Sequence, residues 1–168
     1  MERTDRTVVV DAGPLIHLDE VECLDLLDTY ANILIPAVVW VEVLKHRPNL
    51  IAHNVSQYVD AGARPLSSRL ITLKVTMGLD AGEVAALALA QSVSAQLLFT
   101  DDAAARHAGE ALGLRVHGTI GLVIRSVRTK QRTPGQVIEI LESMPKRSTL
   151  HIARPILDEA IAAVRLRL

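Results

Sequence analysis

Acidic residues next to apolar runs are the feature of this sequence with the clearest chemical potential. Asp11 ends the valine run of "VVVDAGPLIHL", and Asp101 and Asp102 end the apolar run of "QLLFTDD". An unpaired carboxylate is costly to bury, so each of these groups needs a cap or a partner. Carboxylates that gather in one place repel each other and raise each other's pKa values. A divalent cation relieves that repulsion, and oxygen ligands without His or Cys suit Mg²⁺ or Mn²⁺.

Three further acids have a spacing that fits the same chemistry. Glu42 lies within the apolar segment "ILIPAVVWVEVL", and Asp80 and Glu83 begin the helical segment "LDAGEVAALALA". Residues three apart share one side of a helical turn, so Asp80 and Glu83 point the same way. The structural alternatives are a capping box for that pair, helix caps for the other aspartates, and pairing of Glu42 with Lys45 or Arg47. These alternatives leave unexplained why the acids gather.

The elements that position the acids alternate between short apolar strands and helices. This alternation predicts a parallel sheet with helices on both faces, and ligands of such sheets bind beyond the carboxyl ends of the strands. The segment 22–30 has the spacing of a helix, and helices are also predicted after the last strand. The predicted strands are 7–11, 32–35, 96–100 and 114–118. The acids therefore meet at one edge of an α/β domain.

The composition limits the class of protein. The 168 residues predict a single domain over 1–168, and nearly half of them are hydrophobic. The single cysteine, Cys23, allows no intrachain disulfide, and the polar start and the apolar tract broken by Pro36 give neither a secretory signal nor a membrane span. We therefore expect a soluble, cytoplasmic protein without membrane contact. A net charge of −1 and four aromatic residues argue against a nucleic-acid-coating or base-stacking protein, but not against an enzyme.

The quoted motifs, together with "LLFTDDAAARHAGEALGLRVHGTIGLVI", occur in an order that resembles the PIN-domain nucleases. The likeness is greatest to the prokaryotic branch of VapC-like toxins. It covers a core of about 7–128, and the C-terminal helices of about 133–168 are similar in pattern. The resemblance implies a three-layer α/β/α sandwich with a mostly parallel central sheet and a helical C-terminal extension. It also implies an endoribonuclease that uses Mg²⁺ or Mn²⁺ to hydrolyse RNA.

The resemblance also implies a set of catalytic and metal-binding residues. The first acid of the family matches Asp11 and the second matches Glu42, while the third motif and the fourth motif each match two acids. Which acid of each pair is the direct ligand stays open, as does the number of metal ions. The full set is Asp11, Glu42, Asp80, Glu83, Asp101 and Asp102.

Several other polar residues are candidates for contacts around the acids. The hydroxyls of Thr100 and Thr119 fit a hydrogen bond to a ligand carboxylate or to a phosphate oxygen, or to backbone near the strand ends. Arg106, one turn beyond Asp102, fits a substrate phosphate, an acid or a solvated helix face. A basic run fits either an RNA contact or a solvated helix end; it comprises Arg125, Arg128, Lys130 and Arg132. No zinc-like spacing links the histidines, which have no assigned role: His17, His46, His53, His107, His117 and His151.

The partners and the alternatives follow from the resemblance. A toxin implies an antitoxin protein that places an amphipathic segment near the acids, and homodimers are frequent in the family. Many relatives have a hydroxyl-bearing residue two positions after the first acid, where this chain has Gly13. A catalytically weak PIN-like interaction module is therefore an alternative. A Mg²⁺-binding phosphoacceptor receiver domain is a further alternative, although it requires an acidic pair after the first strand and a late lysine.

Overall fold

The structure is a computed structural model that describes residues 4–52 and 58–166. Its sheet has the strand order β3-β2-β1-β4-β5, and every neighbouring pair is parallel. This arrangement confirms the predicted α/β class, with a sheet that is wholly rather than mostly parallel. The strands are β1 (Thr4–Val10), β2 (Tyr30–Pro36), β3 (Val59–Asp60), β4 (Leu97–Phe99) and β5 (Val116–His117).

Helices cover both faces of the sheet, as parallel strands require. Val8 and Val10 point into one core and Val9 points into the other, because side chains alternate along a strand. All three valines are fully buried. The helices are α1 (Ala12–Glu20), α2 (Ala37–His46), α3 (Ser68–Met77), α4 (Ala81–Ser92), α5 (Ala103–Ala111), α6 (Thr119–Arg128), α7 (Pro134–Arg147) and α8 (Arg154–Arg165).

The first core contains α1, α2 and the C-terminal helices, and the second contains α3, α4 and α5. The sheet between them forms the middle layer of a three-layer sandwich. Val137 and Leu141 of α7 and Leu157 and Val164 of α8 are buried in the first core. The C-terminal helices are thus packed into the main body of the protein.

The segment 22–30 differs from its helical prediction. A 3₁₀ helix covers Leu24–Thr29, and Tyr30 already belongs to β2. The leucines of the predicted helix nevertheless face the core, since Leu24 and Leu27 are buried. Tyr30 is 2% exposed, and its ring packs edge-on against Phe99 with centroids 5.3 Å apart. An aromatic residue in the core fits a strand as well as a helix, and here the sheet packing decides.

A second 3₁₀ helix, Pro48–Ala52, precedes the part of the chain that contains His53, which lies outside the described residues. Among the helices that are described, each is too short or too polar to cross a lipid bilayer. The loop 148–153, between α7 and α8, returns to the carboxyl edge of the sheet, where Thr149, Leu150 and His151 border a cavity.

Candidate metal centre

A cavity of about 330 Å³ lies at the carboxyl edge of the sheet and contains every acid predicted for the site. Gly13 and His17 of α1 complete its wall together with loop residues 149–151. Among the described residues that line the cavity there is no Lys or Arg. The acids are Asp11, Glu42, Asp80, Glu83, Asp101 and Asp102. We call this space the acidic cavity.

Asp11 occupies the N-cap position of α1, but its side chain makes no capping hydrogen bond. Its Oδ2 instead accepts a hydrogen bond of 2.8 Å from the hydroxyl of Thr100. The carboxylate is only 6% exposed. Burial raises the pKa of Asp11 from 3.8 to about 6, against the lowering effect of the Thr100 bond, and the charges of Glu42 and Asp80 raise it further. A helix cap therefore does not account for this aspartate.

Glu42 projects from α2 towards the first turn of α4. A Cβ atom placed on Gly82 would lie 3.1 Å from Oε2 of Glu42 and 3.4 Å from Oδ1 of Asp80. The two carboxylates therefore flank the same point above the start of α4. Because Gly82 has no side chain, the carboxylates of Glu42 and Asp80 can both lie close to its backbone.

Asp80 and Glu83 form a reciprocal capping box at the start of α4. The backbone N–H of Glu83 donates to Oδ1 of Asp80, and the N–H of Asp80 donates to Oε2 of Glu83, both at 2.8 Å. Burial raises the pKa of Glu83 to about 7, and the nearby charges of Asp102, Asp80 and Asp11 add to the effect. The structural alternative for this pair is therefore present, and both side chains also line the acidic cavity.

Asp101 is held by two partners. The backbone N–H of Thr119 donates to its Oδ1 at 2.7 Å, and the Thr119 hydroxyl donates to its Oδ2 at 2.6 Å. Nδ1 of His17 lies 2.8 Å from the same Oδ2. Burial acts to raise the pKa of Asp101, but the hydrogen bonds from His17 and Thr119 outweigh it and lower the pKa. Asp101 is thus an ionised carboxylate in a fixed orientation.

Asp102 has a different environment from its neighbour. Its Oδ1 caps α5 by accepting the N–H of Ala105 at 2.8 Å, and its own N–H donates to Thr100 Oγ1 at 3.3 Å. The residue is exposed, and no described residue donates a hydrogen bond to its second oxygen. One oxygen of Asp102 is therefore free to face a ligand in the cavity.

Two neighbours of the acids were not predicted from the sequence: His17 and the loop after α7. His17 follows Gly13 by one helical turn, so the two share a face of α1. A Cβ on Gly13 would lie 3.3 Å from Cβ of Asp101 and 3.6 Å from Cε1 of His17, so the glycine gives both groups room. One sequence signal could have identified His17: Asp-Ala-Gly at the start of a helix, followed by a histidine one turn later. No local pattern marks Thr149 as a neighbour of the acids.

The basic run near the end of α6 does not form one cluster. Arg132 makes two hydrogen bonds to Asp25, at 2.7 and 2.8 Å, and is used in the packing of the 3₁₀ helix. Arg125 and Arg128 instead line a separate cavity together with His117. Arg106 lies near the start of α6, with Nη2 3.0 Å from the position of a Cβ on Gly118.

The donors of the acidic cavity fit a hard divalent cation. All six acids offer oxygen, and the raised pKa values of Asp11 and Glu83 reflect burial and mutual repulsion that a cation removes. Within 4–52 and 58–166, no three acidic, His or Cys side chains already converge closely enough to form a metal-ligating group. The carboxylates therefore share a cavity without a ready-made ligand cluster.

Comparison with known protein families identifies one family for this chain. No curated protein matches the chain. A model of the PIN domain, the family DUF3368, matches residues 7–165, from within β1 to the end of α8. The match spans all the acids of the cavity and the C-terminal helices packed beneath them. This chain therefore belongs to the PIN-domain family, whose members are typically nucleases that bind divalent metals.

Proposed function

We propose that this protein is a metal-dependent endoribonuclease that hydrolyses phosphodiester bonds in RNA and is the toxin of a toxin–antitoxin pair. One observation carries the proposal: six carboxylates line one cavity, and no Lys or Arg among the described residues lies there to neutralise them. Such a cavity attracts divalent cations and repels a bare phosphate. A metal ion is therefore the component that lets an anionic substrate approach.

The side chains divide between metal binding and positioning. Asp11, Glu42 and Asp102 offer oxygens for Mg²⁺ or Mn²⁺, and Asp80 and Glu83 add charge from the first turn of α4. A bound ion would lower the pKa of a water molecule that it holds and would neutralise charge on the phosphate that is cut. The raised pKa of Asp11 means that this carboxylate binds a cation best above about pH 6, where it is ionised.

A second group of residues fixes the shape of the cavity. Thr100 orients Asp11, while Thr119 and His17 orient Asp101. Because these bonds come from buried or half-buried groups on different elements, they keep the carboxylates in place when the cavity is solvated. Pre-organised groups lower the cost of reaching a reactive geometry.

A cleavage assay tests the proposal. Structured and single-stranded RNA are incubated with the protein in Mg²⁺, in Mn²⁺ and in EDTA, next to Asp11→Asn and Glu42→Gln. We expect cutting with either metal, none in EDTA, and a loss of at least about 100-fold in both variants, as for removal of groups that hold transition-state charge. Equal cutting by the parent and both variants would exclude the acidic cavity as the active site.

An interaction module with weak or no activity is the competing function. It is favoured by the absence of a ready-made three-ligand group among the described residues and by Gly13 in place of a hydroxyl-bearing residue. Thermal unfolding in Mn²⁺ separates the two functions, because a ligand that binds the folded state raises the melting temperature. An unchanged melting temperature together with uncut RNA supports the module.

The proposal includes an antitoxin partner. Val38 and Val41 are 42% and 55% exposed on α2, the helix that carries Glu42. An amphipathic segment packed on these valines would lie next to the acidic cavity. Co-expression with the product of the adjacent gene, followed by size-exclusion chromatography of the parent and of Val38→Ser/Val41→Ser, tests this contact. The same column with the chain alone tests the homodimer.

A further inference from the structure

A second cavity, of about 240 Å³, lies between α6 and the β5 edge of the sheet. Phe99 and Leu122 form its apolar floor, and His117, Arg125 and Arg128 are among the residues around it. His117 ends β5, and both arginines belong to α6. This second cavity therefore combines apolar and basic side chains, whereas the acidic cavity is lined by carboxylates.

Arg106, Arg115, Arg125 and Arg128 lie close enough to His117 for their charges to act on it. Burial is the largest cause of the lowered pKa of His117, and the charges of these four arginines lower the pKa further. None of the four makes a salt bridge within the described residues, whereas Arg132 nearby is paired with Asp25. The protein therefore concentrates positive charge here without a counterion of its own. We call Arg106, Arg115, His117, Arg125 and Arg128 the arginine surface.

Arg125 is held by contacts other than an ion pair. Its guanidinium carbon lies 5.8 Å from the ring centroid of Tyr30, within cation–π range. Its Nε is buried and has no hydrogen-bond partner within the described residues. An arginine whose stem is packed in this way loses little freedom when it binds an anion, and its planar group recognises phosphate well.

Gly118 links residues of the two cavities, because it directly follows His117 of the second cavity and approaches Asp101 of the acidic cavity. The Cβ position of this glycine lies 2.7 Å from Oδ1 of Asp101 and 3.0 Å from Nη2 of Arg106. The two groups make no ion pair, because Thr119 and His17 already hold the Asp101 carboxylate. Arg106 is thus free to bind an anion at the boundary. A chain of phosphates with one unit in the acidic cavity would have to pass Gly118 to reach the arginine surface.

We infer that the arginine surface binds the phosphate backbone of RNA that is held in the acidic cavity. This inference rests on the proposed function and extends it to how the substrate is held. Tyr30 and Phe99 are buried, so their rings are not free to stack with bases. Recognition through phosphates alone predicts little preference for base sequence and a strong dependence on salt.

Fluorescence anisotropy with a short labelled single-stranded RNA in EDTA tests the inference without cleavage. Arg125→Gln/Arg128→Gln is compared with the parent and with Arg154→Gln/Arg165→Gln, which removes the same charge from α8. We expect the first pair to raise the Kd at least about tenfold, as for the loss of charge-assisted hydrogen bonds. The slope of log K against log salt should fall by roughly 1.4, since each lost contact to a single strand removes roughly 0.7. The control pair should change neither.

Replacing Arg125 removes its contact with Tyr30, and this loss could destabilise the fold. A second pair of substitutions therefore serves as a control for folding. Arg106→Gln/Arg128→Gln leaves that contact intact, and we expect the same loss of RNA binding at an unchanged melting temperature. The inference is overturned if both pairs bind RNA like the parent, if the parent binds no RNA, or if poly-glutamate competes more strongly than RNA. The last result would assign the surface to an acidic protein segment.

Failure of the proposed function gives a different pattern. If the parent binds RNA through the arginine surface but cuts none with Mn²⁺, the nuclease proposal fails and the binding surface remains. If the parent cuts RNA and the arginine pairs leave binding unchanged, the inference fails and the nuclease proposal remains.

Discussion

The hydroxyl of Thr100 donates a hydrogen bond of 2.8 Å to Oδ2 of Asp11 and so joins the ends of β4 and β1. The two strands are paired with Phe99 opposite Val10, which places the next residue of each chain segment side by side. The bond opposes the effect of burial on the Asp11 pKa. Thr100 therefore helps to keep a buried carboxylate ionised where a cation is expected to bind.

Thr100→Val should shift the pH dependence of metal binding and cleavage to higher pH. Valine has the shape of threonine but no hydroxyl, so the pKa of Asp11 rises above about 6. A hydrogen bond to a charged group contributes about 1.5–3 kcal/mol, which corresponds to a shift of about one pH unit or more. Cleavage rates and Mn²⁺-induced melting shifts are measured from pH 5 to 9. Thr100→Ser keeps the hydroxyl and should behave like the parent; an unshifted profile for Thr100→Val would contradict the role.

Asp11→Asn should stabilise the metal-free protein at alkaline pH. The folded-state pKa of Asp11 is raised from 3.8 to about 6, so its contribution to stability is fully present below pH 3.8 and is lost as pH rises through 6. Above pH 6 the ionised group costs on the order of 3 kcal/mol at most. The amide carries no charge and avoids this cost.

Urea unfolding in EDTA at pH 8 and pH 4 measures the effect. We expect Asp11→Asn to exceed the parent by about 1–3 kcal/mol at pH 8, and the difference to shrink towards pH 4. Asp28→Asn, at an exposed position on the 3₁₀ helix before β2, is the matched control. With Mn²⁺ present, the parent should regain stability and Asp11→Asn should not. A variant less stable than the parent at pH 8 in EDTA would refute this account.

Gly118→Ala should weaken cleavage and lower stability, because the new side chain meets a fixed carboxylate of the site. The new Cβ would lie 2.7 Å from Oδ1 of Asp101, which hydrogen bonds to Thr119 and His17 hold in place. The carboxylate must therefore move or lose its bonds. We expect at least about a tenfold loss of Mn²⁺-dependent cleavage and a stability cost of about 1–3 kcal/mol, as for overpacking.

Gly121→Ala is the matched control, in the first turn of the helix that Gly118 caps. Its Cβ would have no neighbour closer than Cβ of His117 at 3.8 Å. Alanine in a helix interior should then stabilise the protein by about 0.5–1 kcal/mol and leave cleavage unchanged. If both variants cut RNA at the parent rate, the fixed position of Asp101 is not required for activity.

The positions of the acids at strand ends could be predicted because they depend on topology alone. Asp11 and Asp101 follow strands that pair in parallel, so both must reach the same edge of the sheet. Asp80 and Glu83 required only the helical period. Glu42 was identifiable as a charge among apolar residues of α2. These rules use the backbone and do not depend on side-chain packing.

The remaining features depend on packing that the local sequence does not contain. His17 reaches Asp101 across 84 positions, and Arg132 reaches Asp25 across 107. The basic run divides because α6 ends at Arg128, so that Arg125 packs over Tyr30 and lines the second cavity while Arg132 pairs with Asp25 of the 3₁₀ helix. A run of like charges in sequence carries no information about which members are paired. That pairing decides which arginines stay free for a ligand.

Glu20 ties the loop after α7 to the wall of the acidic cavity. Its Oε2 accepts the Ser148 hydroxyl and the Thr149 N–H, both at 2.8 Å, and its Oε1 accepts the Thr149 hydroxyl at 2.9 Å. Burial acts to raise the pKa of Glu20, but these bonds outweigh it and the pKa is lowered. The stabilisation is therefore present above the ordinary pKa of 4.5 and is lost as pH falls through the lower folded value.

Glu20→Gln should loosen this loop, because an amide has one acceptor oxygen in place of two and adds a competing donor. We expect a loss of about 1 kcal/mol at pH 7 that disappears at acidic pH, and faster hydrogen exchange at the Thr149 amide. Glu22→Gln is the control, since Glu22 is exposed and forms a surface ion pair of 2.9 Å with Arg147. Equal exchange at Thr149 in the parent and in Glu20→Gln would show that the loop is held by its packing, and Glu20 would then have no part in shaping the cavity.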